Sequence, residues 1–515
     1  MRKTIRVRAI AACAMLAIAL SANAATISIN QSQTHQTIEG LGAFMGIKEV
    51  KEKQGPFYIT KPLDYQYDTI AYHLGASMMR FEIPPTFFPE EGGAYDPDGS
   101  VFGTGTVRNT FEQCRQLLAR GVERFIGTVW SPPCWMKYTK ECANGGVMDP
   151  VNYDRYAEMI KDFAIMFRDS VGVELYGISY ANEPQFTEPY NSCIWGDDAL
   201  NTIITKGKQQ LNAAGLSSRV YAAEHMFWAK IGPYTNTSQN PALHAFAVHG
   251  YSDGVSVDYG TASDWESFYG TVSGRGKKLW MTETTCNVSF IQTAKNLHTS
   301  LKSGKVSAWT WWAYGDNLCQ GDDQPKDCFY GSKHYFRFVR PGAQQVSASS
   351  DRTGLWATAF KHTQDNTVTV VLINNNSGSE NVTVNGVGST TFSRYQSAGT
   401  QRVALVGTVT GGQSFSVPGN SVTTLYSGEI PSPVANNQGR AGTLSLALDA
   451  GAAVSVRLLT LTGRTIAVFP VNNGTVETLV AARARELGLP KGTFLTSITT
   501  TDGRQVTSSR AMLTH

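Results

Sequence analysis

Between residues 40 and 343, short apolar runs recur at 41–45, 78–83, 124–130, 175–181, 220–224, 245–251, 278–284 and 307–314. Stretches of helical character lie between them. The clearest is 153–168, where Tyr156, Met159, Ile160, Phe163, Met166 and Phe167 share one broad face, the spacing of an amphipathic helix. Shorter helical patterns cover 110–118, 199–211 and 294–301. Near-continuous apolar runs that alternate with helices predict buried parallel strands. Over this length the pattern predicts an α/β fold, a (β/α)8 TIM barrel spanning 40–343. A doubly wound open sheet is the alternative, but its phosphate-binding glycine loop is missing. Gly40-Leu-Gly-Ala-Phe-Met-Gly46 has the wrong spacing, and no suitable helix follows it directly.

The flanks have a different texture. Residues 25–39 place Ile27, Ile29 and Ile38 among polar neighbours, which predicts strands ahead of the barrel. Residues 344–428 are rich in Thr, Val, Ser, Asn and Gly. The run 367–373 is β-branched almost throughout, and Asn374-Asn-Asn-Ser-Gly378 is a turn signal. A β-sandwich side domain is expected there, joined by the strands of 25–39. A Pro- and Gly-containing linker covers 429–442. A small C-terminal β-rich module occupies 443–515, with strands at 454–460 and 493–499.

Composition and local patterning change the picture further. Residues 1–24 combine basic residues (Arg2, Lys3, Arg6, Arg8), an apolar run and a small-x-small end at Ala22-Asn-Ala24. That is the pattern of a secretory signal peptide, too short to span a membrane, and it predicts a secreted or cell-surface protein. The formal charge is +3, and those four basic residues carry +4. The rest of the chain is near neutral, so no nucleic-acid partner is expected. Finally, the chain holds 10 Trp, 21 Tyr and 23 Phe, rings on which the CH faces of sugars stack well. Cys134 and Cys142 lie eight apart and Cys319 and Cys328 nine apart, spacings that suit loop disulfides; Cys114, Cys193 and Cys286 are left over. No cysteine or histidine spacing signals a metal site, and no cofactor is expected. A monomer is the expected state.

A barrel places its functional residues at the carboxyl ends of its strands. Those positions hold Arg80 and Glu82, Trp130, Asn182 and Glu183, Glu224 and His225, His249 and Tyr251, Glu283, and Trp311 and Trp312. Two of them are glutamates at the ends of the fourth and seventh strands. Pro184 ends the first of these strands behind Glu183. Hydrolysis of a glycosidic bond needs such a pair. One carboxyl protonates the leaving oxygen, and the other attacks the anomeric carbon or activates water. Glu183 is the candidate acid and base, and Glu283 the candidate nucleophile. Asn182 suits a bond to the sugar 2-hydroxyl. Tyr251 and Arg80 suit the task of keeping Glu283 ionised.

These residues carry a resemblance. Gly40-Leu-Gly-Ala-Phe44, Arg80, Trp130-Ser-Pro-Pro-Cys-Trp-Met-Lys137, Asn182-Glu-Pro184, His249-Gly-Tyr251, Trp280-Met-Thr-Glu283 and Phe338-Val-Arg-Pro-Gly342 are similar to motifs of glycoside hydrolase family 30, in clan A of the retaining barrels. The resemblance spans about residues 25 to 428. It implies a barrel with a side β-domain, Glu183 as acid/base and Glu283 as nucleophile. Tyr190-Asn-Ser-Cys-Ile-Trp195 resembles the xylanase branch. The implied activity is endo-hydrolysis of plant xylan, with Arg80, Trp130, Asn182, Trp195, His249, Tyr251 and Trp312 binding substrate. β-1,6-Glucanase, β-1,6-galactanase and glucosylceramidase activities belong to the same family, and a non-catalytic sugar-binding barrel is a further alternative. Glucuronoxylan-specific members use an arginine in the loop after the eighth strand. Here residues 313–331 contain no arginine but carry Asp316, Asp322, Asp323 and Asp327. The module at 443–515 resembles C-terminal sorting domains of type IX secretion cargo, through Val456-Arg-Leu-Leu-Thr-Leu-Thr-Gly463 and Leu489-Pro-Lys-Gly492. This implies a secretion machinery as partner.

Overall fold

The computed structural model describes residues 24–430, apart from 48–50, 55–56, 61–62, 229–231, 253–256 and 320–323. Beyond 430 it describes the strands at 454–459, 465–471, 492–499 and 505–513, with residues 483 and 486. The expected signal peptide up to residue 23, the linker from 431, and Asp322 and Asp323 lie outside the described residues.

Eight parallel strands close into a barrel: Gly40–Phe44, Met78–Ile83, Arg124–Val129, Gly177–Ser179, Arg219–Phe227, Leu243–Tyr251, Lys278–Glu283 and Ala308–Trp311. Helices cover it, among them Val107–Leu118, Tyr153–Val171, Asp197–Ala213, Ala262–Gly274, Phe290–Lys302 and Asp327–Phe336. Their starts are written locally. Thr106 accepts the Asn109 N–H at the head of the first, and Thr261 and Asp264 form a capping box at the fourth. The helix from Tyr153 ends at Gly172, whose φ of 94° is one that only glycine adopts readily.

The fourth strand is shorter than the apolar run 175–181 predicts. Ser179 Oγ donates to the Ala181 carbonyl at 2.9 Å, and Tyr156 OH donates to the Tyr180 carbonyl at 2.8 Å. Side chains thus take the carbonyls that a longer ladder would use.

Side chains fill the barrel in layers. Strand residues alternate in direction, so Met79, Phe81 and Ile83 face the helices while Met78, Arg80 and Glu82 face inward. Met78, Ile126, Tyr221, Ala245, Ala247, Trp280 and Ala308 form the apolar middle. Below it, Glu39 accepts from Tyr176 OH (2.9 Å), His244 Nε2 (2.8 Å), Trp280 Nε1 (2.9 Å) and Ser307 Oγ (3.0 Å), with Lys278 Nζ 3.0 Å away. Above it sits the polar layer described below.

The side domain is a nine-stranded sheet folded over its own core of Ile27, Val346, Leu372, Val382, Phe392 and Leu425, among others. Ala25–Thr37 lies within it, antiparallel to Gln344–Ser350 and parallel to Glu380–Asn385. Phe360, Val371, Ile373 and Val422 from its other face join the barrel's apolar cluster. His334 bridges the two units, with Thr424 Oγ1 at 2.9 Å and Ser397 Oγ at 2.8 Å. The barrel and side sandwich are as the hydrophobic pattern predicts. Strands Thr465–Val471, Val454–Leu459, Gly492–Thr499 and Gln505–Leu513 form a separate four-stranded antiparallel sheet in that order.

Cys134 bonds Cys142, as their spacing suggests. The second expected staple, Cys319–Cys328, does not form; Cys328 bonds Cys286 instead. The loop after the seventh strand packs on the loop after the eighth. Thr285 bridges to Trp312, and the Cys286 N–H donates to Asn317 Oδ1 at 3.2 Å. The partner was set by barrel neighbours, which spacing along the chain does not report.

Candidate active site

Three carboxylates converge at the carboxyl ends of the strands, and each is aimed by a local irregularity. Glu183 lies past the short fourth strand with φ +43°, held by its N–H to the Glu224 carbonyl at 3.1 Å. Glu224 has φ +53° and is the extra residue where the register slips between Ala223 and His225. In the seventh strand the register slips between Met281 and Glu283. That makes Thr282 the additional residue and turns Glu283 inward. Bulges of this kind re-aim side chains, and left-handed backbone at a non-glycine residue carries strain.

Arg80 ties the layer together. It is fully buried, with Nη1 donating to Glu283 Oε2 at 2.7 Å and Nη2 to Asn182 Oδ1 at 2.6 Å. Nη2 also lies 3.1 Å from Glu224 Oε1, and Nε donates to Thr128 Oγ1 at 3.1 Å. His249 Nδ1 is 2.8 Å from Glu183 Oε1 and 3.9 Å from Glu283 Oε2, while its Nε2 is 3.6 Å from Glu224. Tyr251 OH donates to Glu283 Oε1 at 3.1 Å. Carboxylate oxygens of Glu183 and Glu283 and a ring nitrogen of His249 all lie within 4.8 Å of one another.

The electrostatics follow from burial and this pairing. Burial raises the carboxyl of Glu283 above its ordinary range; His249 and Arg80 pull it back, and the charge of Glu183 adds to the rise. Burial also lifts Glu224, but Arg80 and His249 outweigh it and hold the group below the usual range. Burial opposes a charged His249, yet Glu283, Glu183 and Glu224 raise it to about 9. Burial and the charge of Glu283 push Tyr251 well up, so it stays a donor. Two cations thus face three carboxyl groups. The cluster is neutral when one carboxyl holds a proton. The grouping of Glu183, His249 and Glu283 is tight enough for an ion. However, Arg80 already bonds Glu283 and a protonated His249 offers no lone pair, so the set suits proton transfer better than metal binding.

Aromatic rings frame the opening. Phe44 lies under the Arg80 guanidinium, 5.6 Å from its centre, and 4.6 Å from Trp312. Trp130 sits 5.6 Å from Trp312, 5.1 Å from Phe102 and 5.7 Å from Tyr190. Phe102 and Tyr190 are each 45% exposed.

Of the residues singled out in the sequence, Glu183, Glu283, Arg80, Asn182, His249 and Tyr251 come together, and Trp130 and Trp312 stand beside them. Trp195 does not join the cluster. It is buried against Tyr153 and Tyr156, and its backbone N–H donates to the Pro184 carbonyl at 2.9 Å. It backs the segment after Glu183 from behind. Glu224 was visible as a strand end, but nothing in the sequence marked it as the shared partner of Arg80 and His249. Phe44 sits within a noted motif, whereas Phe102 comes from a loop that carries no signal.

Residues 342–425 match the glycosyl hydrolase family 30 beta sandwich domain. The chain is 28% identical to glucuronoxylanase XynC of Bacillus subtilis over 268 residues, 48% of this chain and 59% of that protein. It is 26% identical to XynC of strain 168 over 323 residues, 58% of this chain and 72% of that protein. The first alignment therefore spans less than two thirds of its relative. An endo-1,6-beta-D-glucanase of Neurospora crassa is 24% identical over 416 residues, 69% of this chain and 82% of that protein. Among solved structures, the family 30 subfamily 8 xylanase Xyn30A of Clostridium acetobutylicum superimposes with a TM-score of 0.63 at 21% identity, covering 78% of this chain and all of that one. The family 30 match is thus to the sandwich, residues 342–425, while the solved structure shares the fold.

Proposed function

We propose that this chain is a retaining endo-β-glycosidase that hydrolyses a xylan-type polysaccharide of plant cell walls. The approach of the Glu183 and Glu283 carboxylates to within 4.8 Å carries this reading. Retaining enzymes hold their two carboxyls ~5–5.5 Å apart, and inverting enzymes leave a wider gap for water. Glu183 protonates the departing oxygen while Glu283 attacks the anomeric carbon and forms a glycosyl-enzyme. Glu183 then takes a proton from the water that releases the sugar. Arg80 and Tyr251, both bonded to Glu283, favour its charged form and stabilise it again as it leaves. Arg80 holds Asn182 by its oxygen, so the amide nitrogen is the donor available to a sugar hydroxyl. Replacing Glu283 with Gln tests the enzyme reading: turnover should vanish, and unchanged turnover would defeat it.

Xylan is favoured by the similarity to glucuronoxylanase XynC and by the Tyr190–Trp195 segment. The loop at 313–331 lacks arginine and carries four aspartates, so we infer a weak or absent requirement for uronate side groups. Activity on methylglucuronoxylan that disappears when the uronate is removed would contradict this. The similarity to a 1,6-glucanase over 82% of its length supports a second reading, β-1,6-glucan as substrate. Product analysis on xylan, β-1,6-glucan and β-1,6-galactan separates them. We further propose export through the leader at 1–24 and sorting by the module from 443, with a monomer as the secreted form. A mature secreted protein that keeps residues beyond Arg440 would argue against cleaved sorting.

A further inference from the structure

One buried carboxylate near the mouth has no part in the chemistry above. Glu82 points inward two residues beyond Arg80 on the second strand and is 1% exposed. Its Oε2 accepts the Phe102 N–H at 2.8 Å, and its Oε1 accepts from Asn191 Nδ2 at 2.8 Å. The two donors belong to different loops. Phe102 tips the hairpin formed by Ser100–Val101 and Gly105–Thr106. There Gly103 adopts φ +75°, a backbone that favours glycine, and it lies against Gly46 and the Phe44 ring. Asn191 follows Tyr190 in a loop bridged to Ala143. The 134–142 disulfide and Lys137, which donates to the Cys142 and Ser192 carbonyls, brace this second loop.

We propose that Glu82 is a positioning residue that fastens these loops together, so that Phe102 and Tyr190 stand as fixed walls around Trp130 and Trp312 and grip the sugar units at the cleavage point. The gripping role rests on the glycosidase reading; the fastening does not. Phe102 stacks on Trp312 at 5.4 Å and 19°, and Tyr190 lies 5.7 Å from Trp130. The Tyr190 phenol is also close enough to sense the charges of Glu183 and Glu283. Each oxygen of Glu82 thus accepts from one of the two loops. Burial raises this carboxyl above its ordinary range, and the two donors hold it back. Preformed aromatic walls spare a ligand the ordering of two loops on binding, so the fastening should appear in KM rather than in kcat.

Glu82→Gln keeps the shape but turns an amide NH2 toward one of the two donors. Hydrogen exchange of the peptide containing the Phe102 N–H should speed up at least about ten-fold, with the barrel strands unchanged. KM for the polysaccharide should rise about ten-fold with kcat within about two-fold. Asn191→Ala, which releases one loop without touching the barrel interior, should raise KM in the same way. Adding Glu82→Gln to Phe102→Ala should do little more than Phe102→Ala alone. Unchanged exchange in Glu82→Gln would overturn the fastening, and faster exchange with unaltered KM would overturn the grip. A wild type inactive on every glycan would instead overturn the glycosidase reading, and the exchange result would then decide the fastening by itself.

Discussion

Tyr251→Phe isolates one contribution to the chemistry. The hydroxyl donates to Glu283 Oε1 at 3.1 Å, with Thr285 Oγ1 as its other neighbour at 3.4 Å. The ring is 7% exposed and keeps its place in the variant. A hydrogen bond to a charged group is worth about 1.5–3 kcal/mol. Its loss favours the protonated form of Glu283 and weakens it as leaving group. At about 1.36 kcal/mol per decade, kcat/KM should fall about 10- to 100-fold. The same energy should move the acid limb of the pH–rate profile up by about one to two units. Arg80 still faces Glu283 at 2.7 Å, so the fall should stop well short of abolition. Stability should change by under about 1 kcal/mol, because no cavity opens and no charge is left unpaired. Steady-state rates on an aryl xylobioside across pH, beside a urea melt, make the measurement. A rate within two-fold of wild type and an unmoved acid limb would refute the view that Tyr251 tunes Glu283.

Other outcomes follow from the same network. Arg80→Met leaves the Glu224 and Glu283 carboxylates buried without the guanidinium that joins them; denaturant melts should show a loss of about 3–5 kcal/mol, and a loss under 1 kcal/mol would contradict the assigned pairing. His249 is raised to about 9. A raised group contributes stability that is full below its unfolded value of about 6.5 and fades as pH climbs through the folded one. Stability should therefore decline between neutral pH and about 9 in the wild type, and His249→Gln should remove that slope. Glu39 has the opposite sign. Burial raises it, but His244 and Lys278 depress it further, so its contribution holds above about 4.3 and fades as acid protonates it. Glu39→Gln should be about 3 kcal/mol less stable at pH 7 and should lose less on going to pH 3; an identical acid slope would refute the role given to Glu39.

The barrel was legible because near-continuous apolar runs at regular intervals are what strands covered by helices require. The catalytic-end residues were legible because a barrel concentrates polar groups where its strands stop. What stayed hidden depends on single-residue irregularities. The slips at Glu224 and Thr282 decide which way a carboxylate faces, yet neither alters the apolar pattern. Trp195 reads as a sugar platform from its segment but packs on Tyr153 and Tyr156. A ring near the site and a ring behind it have the same composition. Cys286 found Cys328 because two barrel loops are neighbours in space. Glu82 joins loops carrying Phe102 and Asn191, which lie far from it along the chain.

The central claim is that Glu283 bonds to sugar while Glu183 shuttles the proton. A 2-fluoro-xylobioside with a good leaving group slows release of the glycosyl-enzyme, and peptide mass spectrometry then locates the label. The account predicts one adduct per chain, on Glu283, formed also by Glu183→Ala because an activated leaving group needs no acid. A label on Glu183, or products of inverted anomeric configuration without any adduct, would contradict it.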